Sequence, residues 1–379
     1  MTMIAYTGAR IFDGYDMHSD AALLVQRGQV AGISTDIPAG YESHQLTGIL
    51  APGFVDIQVN GGGGVMFNDA PTVQTLATIA KAHASIGATS FLPTLITDTF
   101  AQSSAAVEAV VSAISADTPG IIGLHLEGPH LSIARKGAHD PALIRPMDDA
   151  DMNMLLGAAK HLPVLMMTLA PENATLAQMR QLAGAGVVLA LGHTDAGYAD
   201  CAAATAAGVT CATHLFNAMS QLSNREPGLV GAALSLGGLS AGLIADTIHV
   251  HPQTMATALR AKQGPGQIYL VSDAMATAGS DIAGFMLNDR WIARTGDRLT
   301  LEDGTLAGAH LDLTTAVRNI TQTTGRSLEQ ALAMATSVPA GVLGQTGLGH
   351  LKTGADADFV HLTPDLTLTQ VWRRGVPVQ

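Results

Sequence analysis

The chain has 379 residues, 47% hydrophobic, 13% charged and 4% aromatic, and its 41 glycines follow no three-residue period. That balance excludes a disordered chain, which needs low hydrophobicity and high charge, and a collagen-like fibre. A formal net charge of -12 argues against a general nucleic-acid binder, and no run of 18 apolar residues is free of polar interruption, so no membrane span is expected.

Residues 1–50 read as short strands and turns, among them 21–25 and 29–34 around Arg27-Gly28. The start, Met1 to Tyr6, has neither the basic opening nor the apolar block of a signal peptide. Short β-branched runs then alternate with Ala-rich helical patterns. Eight candidate strands fall at 53–58, 88–95, 121–127, 163–169, 187–193, 209–214, 241–246 and 268–273, with helices such as 72–85 and 173–183 between them. Eight strand–helix units predict a TIM (β/α)8 barrel, with an open doubly wound sheet as the alternative. Beyond the eighth strand, residues 285–301 read as a β-hairpin excursion. A helix is expected to start at Ser327, with Ser327 and Gln330 in capping-box positions. Strand patterns at 358–362 and 368–372 and a turn at Arg374-Gly375 close the chain. Neither end has the apolar mass for its own core. Residues 1–50 and 346–379 are therefore expected to build one small β-sandwich domain beside a barrel of 51–345. Cys201 and Cys211 sit among alanines and are expected to be reduced and buried, which points to a cytoplasmic protein.

The ends of the predicted strands carry the polar residues. They read Asp56-Ile57-Gln58-Val59-Asn60, His125-Leu126-Glu127, Gly192-His193-Thr194-Asp195, Thr213-His214, Asp246-Thr247-Ile248-His249 and Ser272-Asp273. In a barrel these residues meet at the C-terminal rim, where active sites lie. Glu127, His193 and His214 make a carboxylate–imidazole–imidazole set suited to one divalent metal with a position left for water. Asp273, followed by Ala-Met-Ala, suits a general base, the alternative being a helix cap. His139, in Lys136-Gly137-Ala138-His139-Asp140, is either an oxyanion donor or a solvated loop residue. Arg225 and His249 are candidate anion contacts, although Arg225 can equally pair with Glu226 at the surface. Gly61 to Gly64 lacks the spacing of a phosphate loop and reads as backbone turning sharply near the site. Met166 and Met167 read as core filler.

The strings Ala51-Pro52-Gly53-Phe54-Val55-Asp56, His125-Leu126-Glu127-Gly128-Pro129, Gly192-His193-Thr194, Thr213-His214-Leu215-Phe216-Asn217-Ala218-Met219 and Ser272-Asp273-Ala274 appear in order. Together they resemble the N-acetylglucosamine-6-phosphate deacetylases of the amidohydrolase superfamily. The resemblance implies that Glu127, His193 and His214 are metal ligands, Asp273 is the catalytic acid/base and His139 helps polarise the acetyl carbonyl. It implies substrate contacts at Ala138, His139, Asn217, Ala218, Arg225, Asp246, Thr247, Ile248, His249, Leu306, Ala307 and Gly308. It also implies a homodimer in which Arg225 and His249 lie near the partner subunit's site. Where many superfamily members carry His-x-His, this chain has Gln58-Val59-Asn60, so these two amides are expected behind the ligands and a single metal is expected in the site. His130 and Asp140 look unusual for the group and are expected to flank the site and bear on substrate preference.

The expected activity is removal of acetate from N-acetyl-D-glucosamine 6-phosphate. One divalent ion per chain is expected, with zinc first and iron, cobalt or manganese compatible with the same donors. The rival readings are the galactosamine epimer, a cyclic amide lacking a phosphate, and a non-catalytic sugar-phosphate sensor on the same barrel. No helix-turn-helix or basic patch suggests a DNA-binding output.

Overall fold

The computed structural model describes residues 3–288 and 290–378; Met1, Thr2, Asp289 and Gln379, parts of segments interpreted above, lie outside the described residues. The alternating pattern becomes eight parallel strands in consecutive order: β1 (Phe54–Val59), β2 (Ala88–Ile96), β3 (Leu124–Glu127), β4 (Leu165–Leu169), β5 (Val188–Leu191), β6 (Cys211–Ala212), β7 (Ser240–Leu243) and β8 (Ile268–Leu270). Almost every strand residue is buried, as expected of strands covered on both faces. The helices α1 (Val73–Ser85), α2 (Phe100–Ser115), α3 (Asp149–His161), α4 (Leu176–Gly184), α5 (Tyr198–Ala206), α6 (Gly228–Ser235), α7 (Pro252–Ala261) and α8 (Leu313–Thr323) follow the strands in turn. Side-chain caps start many of them; the Thr72 hydroxyl, for example, accepts from Thr75 N–H ahead of α1.

The barrel closes between β1 and the segment after β8. Asp273 N–H donates to Gln58 O at 3.1 Å and Asn60 N–H to Ala274 O at 2.9 Å. This closure is what sets Gln58 and Asn60 beside Asp273. The glycine run follows directly. Gly61–Gly62 pairs with Val65–Met66 across Gly63 and Gly64, whose φ values are 64° and 88°. A Cβ on Gly61 would stand 2.5 Å from Val65 O, so the sharp turn requires glycine there.

Several strands are shorter than the sequence pattern suggests. β5 stops at Leu191, β6 at Ala212, β7 at Leu243 and β8 at Leu270. The functional candidates just beyond them adopt left-handed backbone: His193 at φ 46°, His214 at φ 26° and Asp273 at φ 50°. A ladder cannot continue through that conformation, so the polar residues leave the sheet and turn over the barrel mouth. Such backbone costs about 1–3 kcal/mol per non-glycine residue and persists where its surroundings hold it.

Both chain ends build sheets against the barrel. Met3–Thr7, Ala22–Gln26, Gln29–Ser34 and Glu42–Gln45 form one sheet; Phe359–Leu362 and Leu368–Arg373 join Ile49–Pro52 and Arg10–Phe12 in another. Tyr6, Leu23, Leu50, Phe359 and Trp372 fill the space between them. The hairpin excursion is a three-stranded sheet, Gly284–Leu287, Arg290–Thr295 and Arg298–Thr300. Ser327 and Gln330 form the anticipated capping box. Met166 and Met167 are buried in the core. Both cysteines are buried and unpaired, and burial pushes their thiols up to about 12 and about 11, so neither is a ready nucleophile. Among the described residues no helix is long and apolar enough to cross a membrane.

Candidate active site

A cavity of about 400 Å³ opens at the C-terminal mouth of the barrel. On its floor, Glu127 Oε1 lies 3.0 Å from His214 Nε2 and 3.2 Å from His193 Nε2, and the two Nε2 atoms are 3.1 Å apart. His193 Nδ1–H donates to Arg135 O at 2.8 Å, which leaves Nε2 as a bare lone pair. His214 Nδ1 has no partner among the described residues. His193 Nε2 and Glu127 Oε1 are both lone-pair acceptors only 3.2 Å apart, a contact that a cation between them relieves. These separations suit neighbouring corners of a coordination shell with bonds of about 2.0–2.2 Å. The residues therefore fit a divalent metal.

Asp273 stands beside this set. Its Oδ1 accepts from Asn60 Nδ2 at 2.8 Å and from Gln58 Nε2 at 3.1 Å. Gln58 Nε2 also reaches both Glu127 oxygens at 3.3 Å, tying Asp273 to Glu127. Burial, then the negative charge of Glu127, push the Asp273 carboxyl up to about 6. Oδ2 has no hydrogen-bond partner among the described residues, so one oxygen is held and the other is available for a proton.

His139 forms part of the cavity wall. The N–H of Thr97 donates to His139 Nδ1 at 3.3 Å, and the Thr97 hydroxyl lies 2.7 Å from the same nitrogen. The neutral ring therefore carries its proton on Nε2. Burial, reinforced by His193, keeps the imidazole well below its ordinary pKa. His139 is near enough to Glu127 and His193 for ligand atoms of all three to lie within 4.8 Å. Its tautomer nevertheless makes it a hydrogen-bond donor rather than a fourth ligand. The Arg290 guanidinium, on the hairpin excursion, donates to Ala138 O and fixes the loop that carries His139.

A family model described as the amidohydrolase family matches residues 49–378. The chain belongs to the amidohydrolase family. It is 40% identical over 378 residues to an N-acetylgalactosamine-6-phosphate deacetylase of Shewanella sp. (strain ANA-3), covering 98% of this chain and 95% of that one. Among solved structures it is similar to the N-acetylglucosamine-6-phosphate deacetylase of Pasteurella multocida, with a TM-score of 0.94, 32% identity and 99% of each chain covered. It also resembles the enzyme of the same name from Mycobacterium smegmatis in complex with N-acetyl-D-glucosamine-6-phosphate, with a TM-score of 0.92, 32% identity and complete coverage of both chains. Donor set and family together make the floor of the cavity a divalent-metal site.

In this amidohydrolase the cavity gathers Glu127, His193, His214, Asp273 and His139 with Asn60, Ala138, Asn217 and Ala218. Leu306, Gly308 and His249 complete the anticipated set on the wall. Gln58 is buried behind Asp273, and Ala307 packs into the apolar cluster under the hairpin sheet. Thr247 and Ile248 are off the wall; Asp246 holds His249 by a 2.6 Å contact between Oδ2 and Nδ1 and does not line the cavity itself. The resemblance put His249 near a partner's site, but in this chain it faces its own cavity. Arg225 is exposed, lies outside the cavity and makes no ion pair among the described residues, since Glu226 instead accepts from Tyr198 N–H and Gly228 N–H. His130 and Asp140 do not line the cavity. His130 is buried with Nδ1 3.0 Å from Arg145 O, and Asp140 accepts from Ala142 N–H within its own turn. Sequence reasoning missed Arg135, Leu287 and Thr305, all on the wall. Arg135, one residue before the Lys136-to-Asp140 string, was the nearest available signal.

Proposed function

We propose that this amidohydrolase removes the acetyl group of N-acetyl-D-glucosamine 6-phosphate, giving acetate and D-glucosamine 6-phosphate. The observation that carries this reading is the pairing of a two-histidine, one-carboxylate donor set with an Asp273 whose Oδ2 is free beside it. Glu127, His193 and His214 would hold a divalent ion, zinc in our reading and one per chain, which would supply Lewis acidity at the floor of the cavity. Asp273 Oδ2 takes a proton from water as the water oxygen adds to the acetyl carbon. His139 Nε2–H donates to the oxyanion that develops. Asp273 then returns the proton to the sugar nitrogen, the C–N bond breaks, and a neutral amine leaves in place of a strongly basic anion. Asn60 and Gln58 hold Asp273 through both transfers. In the same reading a second copy of the chain brings the exposed Arg225 to the phosphate, as a homodimer, and the buried thiols fit a cytoplasmic location.

The galactosamine epimer is the second reading, favoured by the 40% identical relative that carries that name. Assay of acetate release from both epimeric 6-phosphates, with metal content measured on the same preparation, tests the proposal. Metal-dependent release from the glucosamine epimer supports it, release from the galactosamine epimer alone moves the substrate, and release from neither overturns it.

A further inference from the structure

The cavity has an anion problem. Glu127 and Asp273 put two carboxylates on its wall, the chain is strongly acidic, and the proposed substrate carries a phosphate. Among the described residues, Arg135 is the one arginine or lysine on the cavity wall, and His249 is the one further histidine there. His249 is engaged by Asp246, while Lys136, the residue after Arg135, is off the wall.

Arg135 is held in place from several directions. It ends the short 3-10 turn Ile133–Arg135, and its carbonyl receives the His193 Nδ1–H. Ser132 N–H donates to His193 O at 2.8 Å, so both sides of the turn are pinned to a metal ligand's loop. The guanidinium lies edge-on to a single oxygen: Nε and Nη2 are both 2.8 Å from Asp195 Oδ1. Glu172 accepts from Asp195 N–H at 2.8 Å and fixes that end. A guanidinium has five N–H groups; here Nε–H donates to Asp195 Oδ1, and Nη2 is in ion-pair contact with the same oxygen. The N–H groups on Nη1 have no partner among the described residues. Asp195 keeps to the Nε and Nη2 edge, so an arriving anion meets the free N–H groups of the other edge without displacing it.

We propose that Arg135 is the cation this chain itself contributes to the phosphate of its substrate, and that it sets the preference for a phosphorylated over an unphosphorylated amino sugar. The proposal rests on the substrate reading above. Because the carbonyl of Arg135 holds His193, engagement of the phosphate by its side chain also pins the loop that orients a metal ligand.

The test compares wild type, Arg135→Gln and Arg135→Lys, each metal-loaded and checked for equal metal content and melting temperature. Acetate release is measured from N-acetyl-D-glucosamine with and without the 6-phosphate. Calorimetric binding of D-glucosamine 6-phosphate and of D-glucosamine is measured alongside. Arg135→Gln is expected to lose about 10- to 150-fold in kcat/KM on the phosphorylated sugar and less than about 3-fold on the other. Arg135→Lys, which keeps the charge without the fork, recovers part of the loss. Equal losses on both sugars, or no loss on the phosphorylated one, overturn the role of Arg135 while leaving the deacetylase reading intact. Wild type that binds the sugar phosphate through Arg135 but releases no acetate overturns the deacetylase reading alone. Absence of both binding and turnover overturns both.

Discussion

Asn60 donates its side-chain amide to Asp273 Oδ1 at 2.8 Å across the seam where the barrel closes. Gln58 donates to the same oxygen, so the end of β1 restrains Asp273 through two amides. Deleting a donor to a carboxylate disfavours its charged form and raises its pKa. Wild-type kcat/KM is expected to rise with pH as Asp273 becomes able to accept a proton, with the bound cation drawing this limb below the value of about 6 that burial and Glu127 set without it. Asn60→Ala should move this acidic limb to higher pH. An unmoved limb with a uniformly lower rate would mean that Asn60 does not govern Asp273.

Asp273→Asn keeps both donors engaged and removes the proton carrier. Turnover should fall by about 10²- to 10⁴-fold, with metal content unchanged, because Glu127, His193 and His214 still hold the ion. Turnover within a few-fold of wild type would remove Asp273 from the chemistry.

The single-metal reading predicts about one tightly held equivalent per chain after loosely bound ions are stripped. Gln58→His should raise the count toward two, because imidazole is a good transition-metal ligand and a neutral amide oxygen a weak one. Chelation of the wild type should lower its melting temperature, since a ligand bound only by the folded state stabilises that state. Two tight equivalents in the wild type, with activity lost on removing the second, contradict this reading.

Asp56 lies one turn of the pleat below Gln58, and burial pushes its carboxyl up to about 7, with the charge of Asp273 adding to the shift. Its folded pKa exceeds its unfolded one. Between the ordinary carboxylate range and about pH 7, the unfolded chain has released this proton and the folded chain has not. The stability contributed by Asp56 is therefore complete at low pH and is lost as pH rises toward 7. Asp56→Asn removes that slope and can still accept from Ser272 N–H and Gln58 N–H. Its melting temperature relative to wild type should be higher at pH 8 than at pH 5. A pH-independent difference would place the titration elsewhere.

The barrel was legible because its strands are apolar on both faces and the few polar residues cluster where each strand ends. Glu127, His193, His214 and Asp273 could be found from that contrast alone. The exact strand ends could not, because the left-handed backbone at His193, His214 and Asp273 depends on the closed mouth around them. Arg135, Leu287 and Thr305 were hidden for a related reason. They reach the cavity through the paths of a loop and of an inserted sheet, and neither path has a periodic pattern. His130 misled because it follows a ligand in sequence, yet its ring turns away toward Arg145 O and Asp151.

The most direct test of the central claim is hydrolysis of N-acetyl-D-glucosamine 6-phosphate in 18O-enriched water, with both products read by mass spectrometry. The expected result is one labelled oxygen in the acetate and, in Asp273→Asn, labelled acetate formed about 10²- to 10⁴-fold more slowly. Acetate without label, or no acetate from the metal-loaded wild type, would contradict it.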